Sequence, residues 1–400
     1  MVHEEIPISD RKLTIVLKLG TSSICDEITH FPLLANLSHI VETIVKLKNM
    51  GHRVVLTTSG AVGVGMRALD MDSKPDELAK KQALAATGQG KLMSLYESLF
   101  EQFKLPTAQI LLTKGDLADH TRYKNARNAI EELFISGVVP IVNENDTISV
   151  NEIRFGDNDT LSAITAGIVQ ANYLFLLTDV DCLYTDNPRS NPEARVVSKV
   201  TDIGELKATI NVTSPGSAVG TGGMVTKLIA AELATAAGVN TIITRGSEPE
   251  RVFDIIRYYE GGEISQGSVP LHTCFVAHTT PMLDRKWWIL HGINTVGTIV
   301  VDDQVEETLA QSTADNPCPI CSDQIVRIEG DFQPNQGVVV AVEKPMNANG
   351  ELGTVVIAKG LVNYSSKELN RIKRVTDVTP VLGYGDSNRA IEYENLVPLV

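Results

Sequence analysis

From Leu13 to about Thr280, short apolar runs alternate with longer amphipathic stretches. The runs are Leu13–Leu17, Val54–Leu56, Val138–Val142, Tyr173–Leu177 and Thr241–Ile243. Their near-continuous apolar character predicts strands buried on both faces, as in a parallel sheet covered by helices. Between the first two runs, Leu33, Leu37, Ile40, Val41, Ile44 and Val45 recur at helical spacing and predict a crossover helix. Helical patterns also cover Pro75–Phe103, Arg122–Phe134, Thr160–Val169 and Met224–Ala237. Repeated strand–helix–strand units predict a three-layer α/β/α sandwich with a mainly parallel central sheet.

The pattern changes after the stretch 281–288. From about Asn294 to Arg374 the apolar runs are short, valine-rich and separated by Gly, Asn or Asp. Gly337–Val342 and Thr354–Ala358 are bridged by Asn347-Ala348-Asn349-Gly350, which is turn chemistry between paired strands. The chain therefore divides into a disordered start (1–12), an α/β domain (13–280), a linker (281–294), a compact β-rich domain (295–376) and a weakly structured tail from Gly383 within 377–400. Two domains suit a length of 400 residues.

Five segments end strands or open helices with polar or glycine-rich chemistry. Lys18-Leu19-Gly20-Thr21-Ser22-Ser23 follows the first strand: a lysine gives a point charge, and Gly20 lets backbone N–H groups approach a phosphate. It is not a Walker A loop, because the lysine precedes the glycine. Thr57-Thr58-Ser59-Gly60-Ala61 follows the second strand and leads into a helix whose first N–H groups are free to meet an anion. Asn143-Glu144-Asn145-Asp146 and Gly156-Asp157-Asn158-Asp159-Thr160 flank a hairpin expected over Thr147–Phe155. Their acids and amides suit an ammonium group, lysine orientation or Mg²⁺, although Asn, Asp and Gly are also ordinary turn residues. Leu177-Thr178-Asp179-Val180-Asp181 ends another core strand. Gly220-Thr221-Gly222-Gly223-Met224-Val225-Thr226-Lys227 opens a helix, and a lysine in its first turn opposes the helix dipole unless a phosphate is near. Two lysines and two acidic clusters at one edge of a sheet suit phosphoryl transfer, where positioning and charge neutralisation do most of the catalysis.

Taken in order from about Thr14 to Lys373, these segments resemble the amino-acid kinase family. Gly-Asp-Asn-Asp at 156–159 together with Gly-Thr-Gly-Gly-Met-Val-Thr-Lys at 220–227 is the most specific part, supported by Leu183-Tyr184-Thr185-Asp186-Asn187-Pro188-Arg189. The resemblance is to the branch that transfers the γ-phosphate of ATP to the side-chain carboxylate of L-glutamate. It implies that Lys18 and Lys227 stabilise the moving phosphoryl group, with Asp159 holding them. It implies backbone donors at Gly20 and Gly60, and a glutamate site of Ser59, Asp146 and Asn158 with Asp157 nearby. Thr178, Asp179 and the stretch Thr221, Gly222, Gly223, Met224, Val225, Thr226 and Lys227 would bind ATP, with Mg²⁺ on its phosphates. Proline as a feedback inhibitor and a homodimer or homotetramer are implied as well. Kinases acting on aspartate, acetylglutamate, carbamate or UMP share the phosphate machinery and differ at the acceptor pocket.

The C-terminal domain resembles a PUA domain at Ile357-Ala358-Lys359-Gly360-Leu361-Val362-Asn363-Tyr364-Ser365. PUA folds often bind RNA, so a rival function, an RNA-binding protein with a relic kinase half, would reside there. Charge argues against it. The whole chain carries −14, and residues 281–400 hold 10 Lys plus Arg against 16 Asp plus Glu. A local basic strip of Lys367, Arg371, Lys373 and Arg374 reads as a solvated helix face. Cys318-Pro319-Ile320-Cys321 lacks a second ligand pair and reads as a loop. Five cysteines do not make a disulfide framework, and no run approaches the roughly 20 apolar residues of a membrane span, so a cytoplasmic protein with reduced thiols is expected.

Overall fold

The computed structural model of the chain describes all residues except 1–7, 27, 72, 114–115, 118–119, 149–157, 187–190, 192, 210–222, 262–268, 280–285, 288, 291–292, 294, 313–315, 346–351, 384–386 and 400. Two compact units part after Pro281.

In the first unit, the five apolar runs supply five strands of an eight-stranded sheet, and Thr107–Leu112, Lys199–Val200 and Thr273–Phe275 add three that no apolar run predicted. Its strands are β1 (Thr14–Leu19), β2 (Arg53–Thr57), β3 (Thr107–Leu112), β4 (Val139–Glu144) and β5 (Tyr173–Thr178). Beyond β6 (Leu183–Tyr184) and β7 (Val196–Val197), which pair as a separate ribbon, come β8 (Lys199–Val200), β9 (Asn240–Arg245) and β10 (Thr273–Phe275). The sheet order is β3-β4-β2-β1-β5-β9-β10-β8, parallel throughout except that β10 runs antiparallel to β9. The intervening helices are α1 (Leu34–Asn49), α2 (Ala61–Ala68), α3 (Leu78–Glu101), α4 (His120–Ile135), α5 (Asn158–Ile168), α6 (Ile203–Thr209), α7 (Met224–Ala236) and α8 (Arg251–Tyr259).

Alternation along β1 decides what lies on each face. Ile15, Leu17 and Leu19 join one buried cluster with Leu37, Ile40, Val41 and Ile44 of α1. Val16 and Lys18 point to the other face, which α5 covers. From β1 the chain leaves through α1 to β2 on one side, and later returns through α5 to β5 on the other. That reversal of direction is a topological switch point, where open α/β sheets leave a crevice at the carboxyl ends of their strands.

Residues 8–12, expected to be disordered, are instead anchored. Ile8 is buried in the core cluster, and Ser9 and Arg11 both bond to Glu260. One apolar side chain and one bidentate ion pair tie down a segment too short to show a periodic pattern. The hairpin expected over 147–155 lies largely outside the described residues.

The second unit is built on a five-stranded sheet, in the order Ile325–Gly330, Thr295–Val301, Gly337–Pro345, Leu352–Leu361 and Leu396–Pro398. Its strands are β11 (Thr295–Val301), β12 (Ile320–Cys321), β13 (Ile325–Gly330), β14 (Gly337–Pro345), β15 (Leu352–Leu361), β16 (Arg389–Ile391) and β17 (Leu396–Pro398), with helices α9 (Gln304–Ala310), α10 (Ser366–Ile372) and α11 (Thr379–Leu382). β14 and β15 pair antiparallel as their turn chemistry predicts. Three expectations are corrected here. The tail is structured: β17 pairs with β15, β16 pairs with β12, and Ile391, Leu396 and Val397 are buried. Gly360 permits this, since a Cβ there would lie 2.8 Å from Asn395 O. The second correction concerns Ile320-Cys321, which forms a strand rather than a loop, because the tail supplies its partner. The residues called a linker are also packed, with Trp287 and Ile289 buried and Lys359 Nζ donating to Leu290 O and Ile293 O. Among the described residues, no helix is long and apolar enough to cross a membrane.

Candidate active site

The carboxyl ends of β1, β2, β4 and β5 are level with one another. Lys18 pairs in register with Thr57 of β2 and Leu176 of β5, and Thr57 with Val142 of β4. Lys18 is the last residue of β1 on the α5 side before Gly20, and only 5% of it is exposed. A buried lysine needs a partner. It has one in Asp159, in the first turn of α5, with which it forms an ion pair. Asp159 is fully buried and sits where a helix N-terminus favours negative charge.

The other oxygen of Asp159 faces α7. Lys227 Nζ stands 3.4 Å from Oδ2, and Thr226 Oγ1 donates to the same atom at 2.8 Å. Lys227 is 8% exposed. Burial alone would raise the Asp159 carboxyl, but the Lys18 and Lys227 ammonium groups outweigh it and hold the group at about 2. Two buried ammonium groups therefore share one carboxylate. The surplus positive charge sits in a place that water barely reaches, and an anion is what such a site lacks. Three further features agree with a phosphate. A Cβ on Gly20 would stand 3.8 Å from Lys18 Nζ, so the glycine leaves that space open. Gly223 caps α7 without a side-chain bond, and the first turn of α7 contains no acid.

Beside the lysines lies an amide network. Asn158 Nδ2 reaches Ser59 Oγ at 2.9 Å, Thr58 O at 3.0 Å and Asn143 Oδ1 at 3.0 Å. Asn143, at the end of β4, donates Nδ2 to Gln89 Oε1 of α3 at 2.8 Å. Gly60 stands at the N-terminus of α2 with φ +93, where an added Cβ would meet Ile24 Cγ2 at 3.1 Å, so glycine is needed there.

Of the residues singled out in the sequence, Lys18, Asp159, Thr226 and Lys227 meet in one cluster, and Ser59 and Asn158 in the adjoining network. Asp146 lies half-buried in the turn after β4. Thr178 and Asp179, joined by a 3.0 Å hydrogen bond, line a cavity of about 580 Å³ with Ser22, Ser23, Asn36 and Arg245, which neither lysine borders. Met224 and Val225 occupy the first turn of α7, with Val225 exposed. Asp157, Thr221 and Gly222 lie outside the described residues. The sequence reading did not assign a role to Gln89, nor to the pairing of Asp181 with Arg245 and Arg251 that ties the loop after β5 to β9 and α8. Gln89 does leave a signal, as the one polar residue in the buried series Ala85, Gly88, Leu92, Met93 and Tyr96 of α3.

The amino acid kinase family model matches residues 13–245, more than half of the chain.

The chain belongs to the amino acid kinase family.

A PUA domain model matches residues 297–380. A probable glutamate 5-kinase of Schizosaccharomyces pombe is 49% identical over 393 residues, covering 97% of this chain and 94% of that protein. A glutamate 5-kinase of Acaryochloris marina is 44% identical, covering 96% and 98%. An uncharacterized protein of Saccharomyces cerevisiae is 42% identical, covering 96% and 97%. Each similarity runs through both units, so this kinase family member carries its PUA domain as its relatives' lengths would lead one to expect.

Proposed function

We propose that the chain acts as a glutamate 5-kinase, transferring the γ-phosphate of ATP to the side-chain carboxylate of L-glutamate. The observation that carries this is the pair of buried lysines on one carboxylate, with an amide network directly beside it. Lys18 and Lys227 would hold the γ-phosphoryl group and take up the charge that grows on it in transit. Asp159 keeps both ammonium tips in place through its own charge. ATP supplies the phosphoryl group, and Gly20, Gly60 and the N-terminus of α7 offer N–H donors to its phosphates. Thr178 and Asp179 would hold the nucleotide further out. Mg²⁺ in this reading is carried by the phosphates of ATP.

Ser59, Asn158, Asp146 and Asp157 would bind glutamate. Its γ-carboxylate is ionised at pH 7 and attacks without a general base, so no histidine need stand near. Proline is read as a feedback inhibitor and the assembly as a homodimer or homotetramer, both from the family resemblance. The test is a Mg-ATP assay in which acyl phosphate is trapped as hydroxamate, run with glutamate, aspartate and N-acetylglutamate. Hydroxamate formed chiefly from glutamate supports the reading; preference for either competitor replaces the acceptor and leaves the family intact.

A further inference from the structure

The hydrogen bonds around Asn143 have a direction, and the backbone sets it. Glu144 N–H donates to Asn143 Oδ1 at 2.9 Å, so Asn143 must present its Nδ2 on the other side, to Gln89 Oε1. Reversing the Gln89 amide would bring two NH₂ groups face to face. Gln89 Nε2 is therefore left with two N–H bonds and no partner among the described residues, on a residue only 8% exposed. At the other end of the network, Asn158 spends Nδ2 on Thr58, Ser59 and Asn143, and its Oδ1 is buried without a partner among the described residues as well.

Buried donors and acceptors with nothing to bond are costly and rare, and each calls for an explanation. Pairing with Asn143 Nδ2 uses only the oxygen of Gln89, so its buried NH₂, on a helix face shared with Ala85, Leu92, Met93 and Tyr96, is not explained by that pairing. The two vacancies also have opposite character. One end offers N–H donors and asks for an anion; the other offers an oxygen and asks for a donor. A free α-amino acid carries both complements on one carbon.

We infer that Gln89 binds the α-carboxylate of the acceptor amino acid through Nε2, while Asn158 Oδ1 accepts from its ammonium group. Gln89 is thereby a specificity residue: it selects acceptors that carry a free carboxylate beside the amine. This rests on the amino-acid acceptor proposed above.

The test compares glutamate with 4-aminobutanoate, which keeps the amine and the reacting carboxylate but lacks the α-carboxylate. Gln89→Glu retains Oε1 for Asn143 and replaces the NH₂ donor by an anionic oxygen. In the full-length protein it should raise KM for glutamate by about 10- to 100-fold, the range for a charge-assisted hydrogen bond, with KM for MgATP within about two-fold. The kcat/KM ratio of glutamate to 4-aminobutanoate should fall by at least the same factor. If Gln89→Glu does not fold, Gln89→Met, similar in volume and without a donor, is read on the same ratio. A ratio within about two-fold of wild type, or KM values for glutamate and MgATP rising together, overturns the assignment of Gln89. Wild-type protein that phosphorylates no amino acid overturns the reading beneath it, and the two failures are told apart by the wild-type control.

Discussion

Asp159 has no access to water, yet it stays ionised because two ammonium groups reach it from different elements. Its folded value of about 2 lies below its ordinary 3.8, so its charge stabilises the fold above about pH 4. That contribution should decline between about pH 4 and pH 2 and be gone below. Asp159→Asn should flatten this part of a stability-versus-pH curve measured by thermal denaturation, at the cost of two unpaired buried lysines. Removing one partner of such a buried pair typically costs about 3–5 kcal/mol. Lys227→Ala should leave a folded protein whose turnover is about 10²–10³-fold lower, as when one preorganised charge donor is lost; near-normal turnover would remove the lysine from the chemistry. The lysines and Asp159 were legible because each ends a strand or opens a helix in a short motif. Gln89 was not, because its meaning lies in a hydrogen-bond direction set by Glu144 N–H, which no spacing in the sequence encodes.

Elements bring these residues together only if α2 and α3 nearly touch. A Cβ on Gly88 would stand 1.8 Å from Ala61 O, and one on Gly65 would stand 2.0 Å from Leu84 O. Both contacts are with backbone, which cannot swing away. Gly88→Ala should therefore force the helices apart, cost at least the roughly 1–3 kcal/mol of an overpacked core, and displace Gln89, its neighbour on α3. A chemical denaturation midpoint unchanged from wild type would contradict this packing. Strands β1, β2, β4, β5 and β9 and helices α1, α3, α4, α5 and α7 were predictable from periodicity, whereas the edge strand β3 is only partly buried and left no apolar run. β12, β16 and β17 were not: two- and three-residue strands are too short to show alternation, and each exists because a partner distant in sequence is at hand.

Across the whole molecule, charge separates the two rival readings. The basic strip of the second unit is largely engaged: Arg374 pairs with Asp302, Arg371 donates to Val381 O, and Lys373 reaches Asn370. With the net charge of −14, this leaves little to neutralise a phosphate backbone. Fluorescence anisotropy should show no binding of a short RNA at about 10 μM protein and about 0.15 M salt, a concentration within the range of ordinary nonspecific dissociation constants. Tight, salt-dependent binding would restore the RNA reading. The central claim concerns the other unit, and one structure tests it: the complex with MgADP, aluminium fluoride and glutamate, which mimics the phosphoryl group in flight. Both Lys18 Nζ and Lys227 Nζ should lie within hydrogen-bond distance, about 3 Å, of the fluoride group, with Asp159 still between them. A fluoride group that either lysine fails to reach would contradict the account.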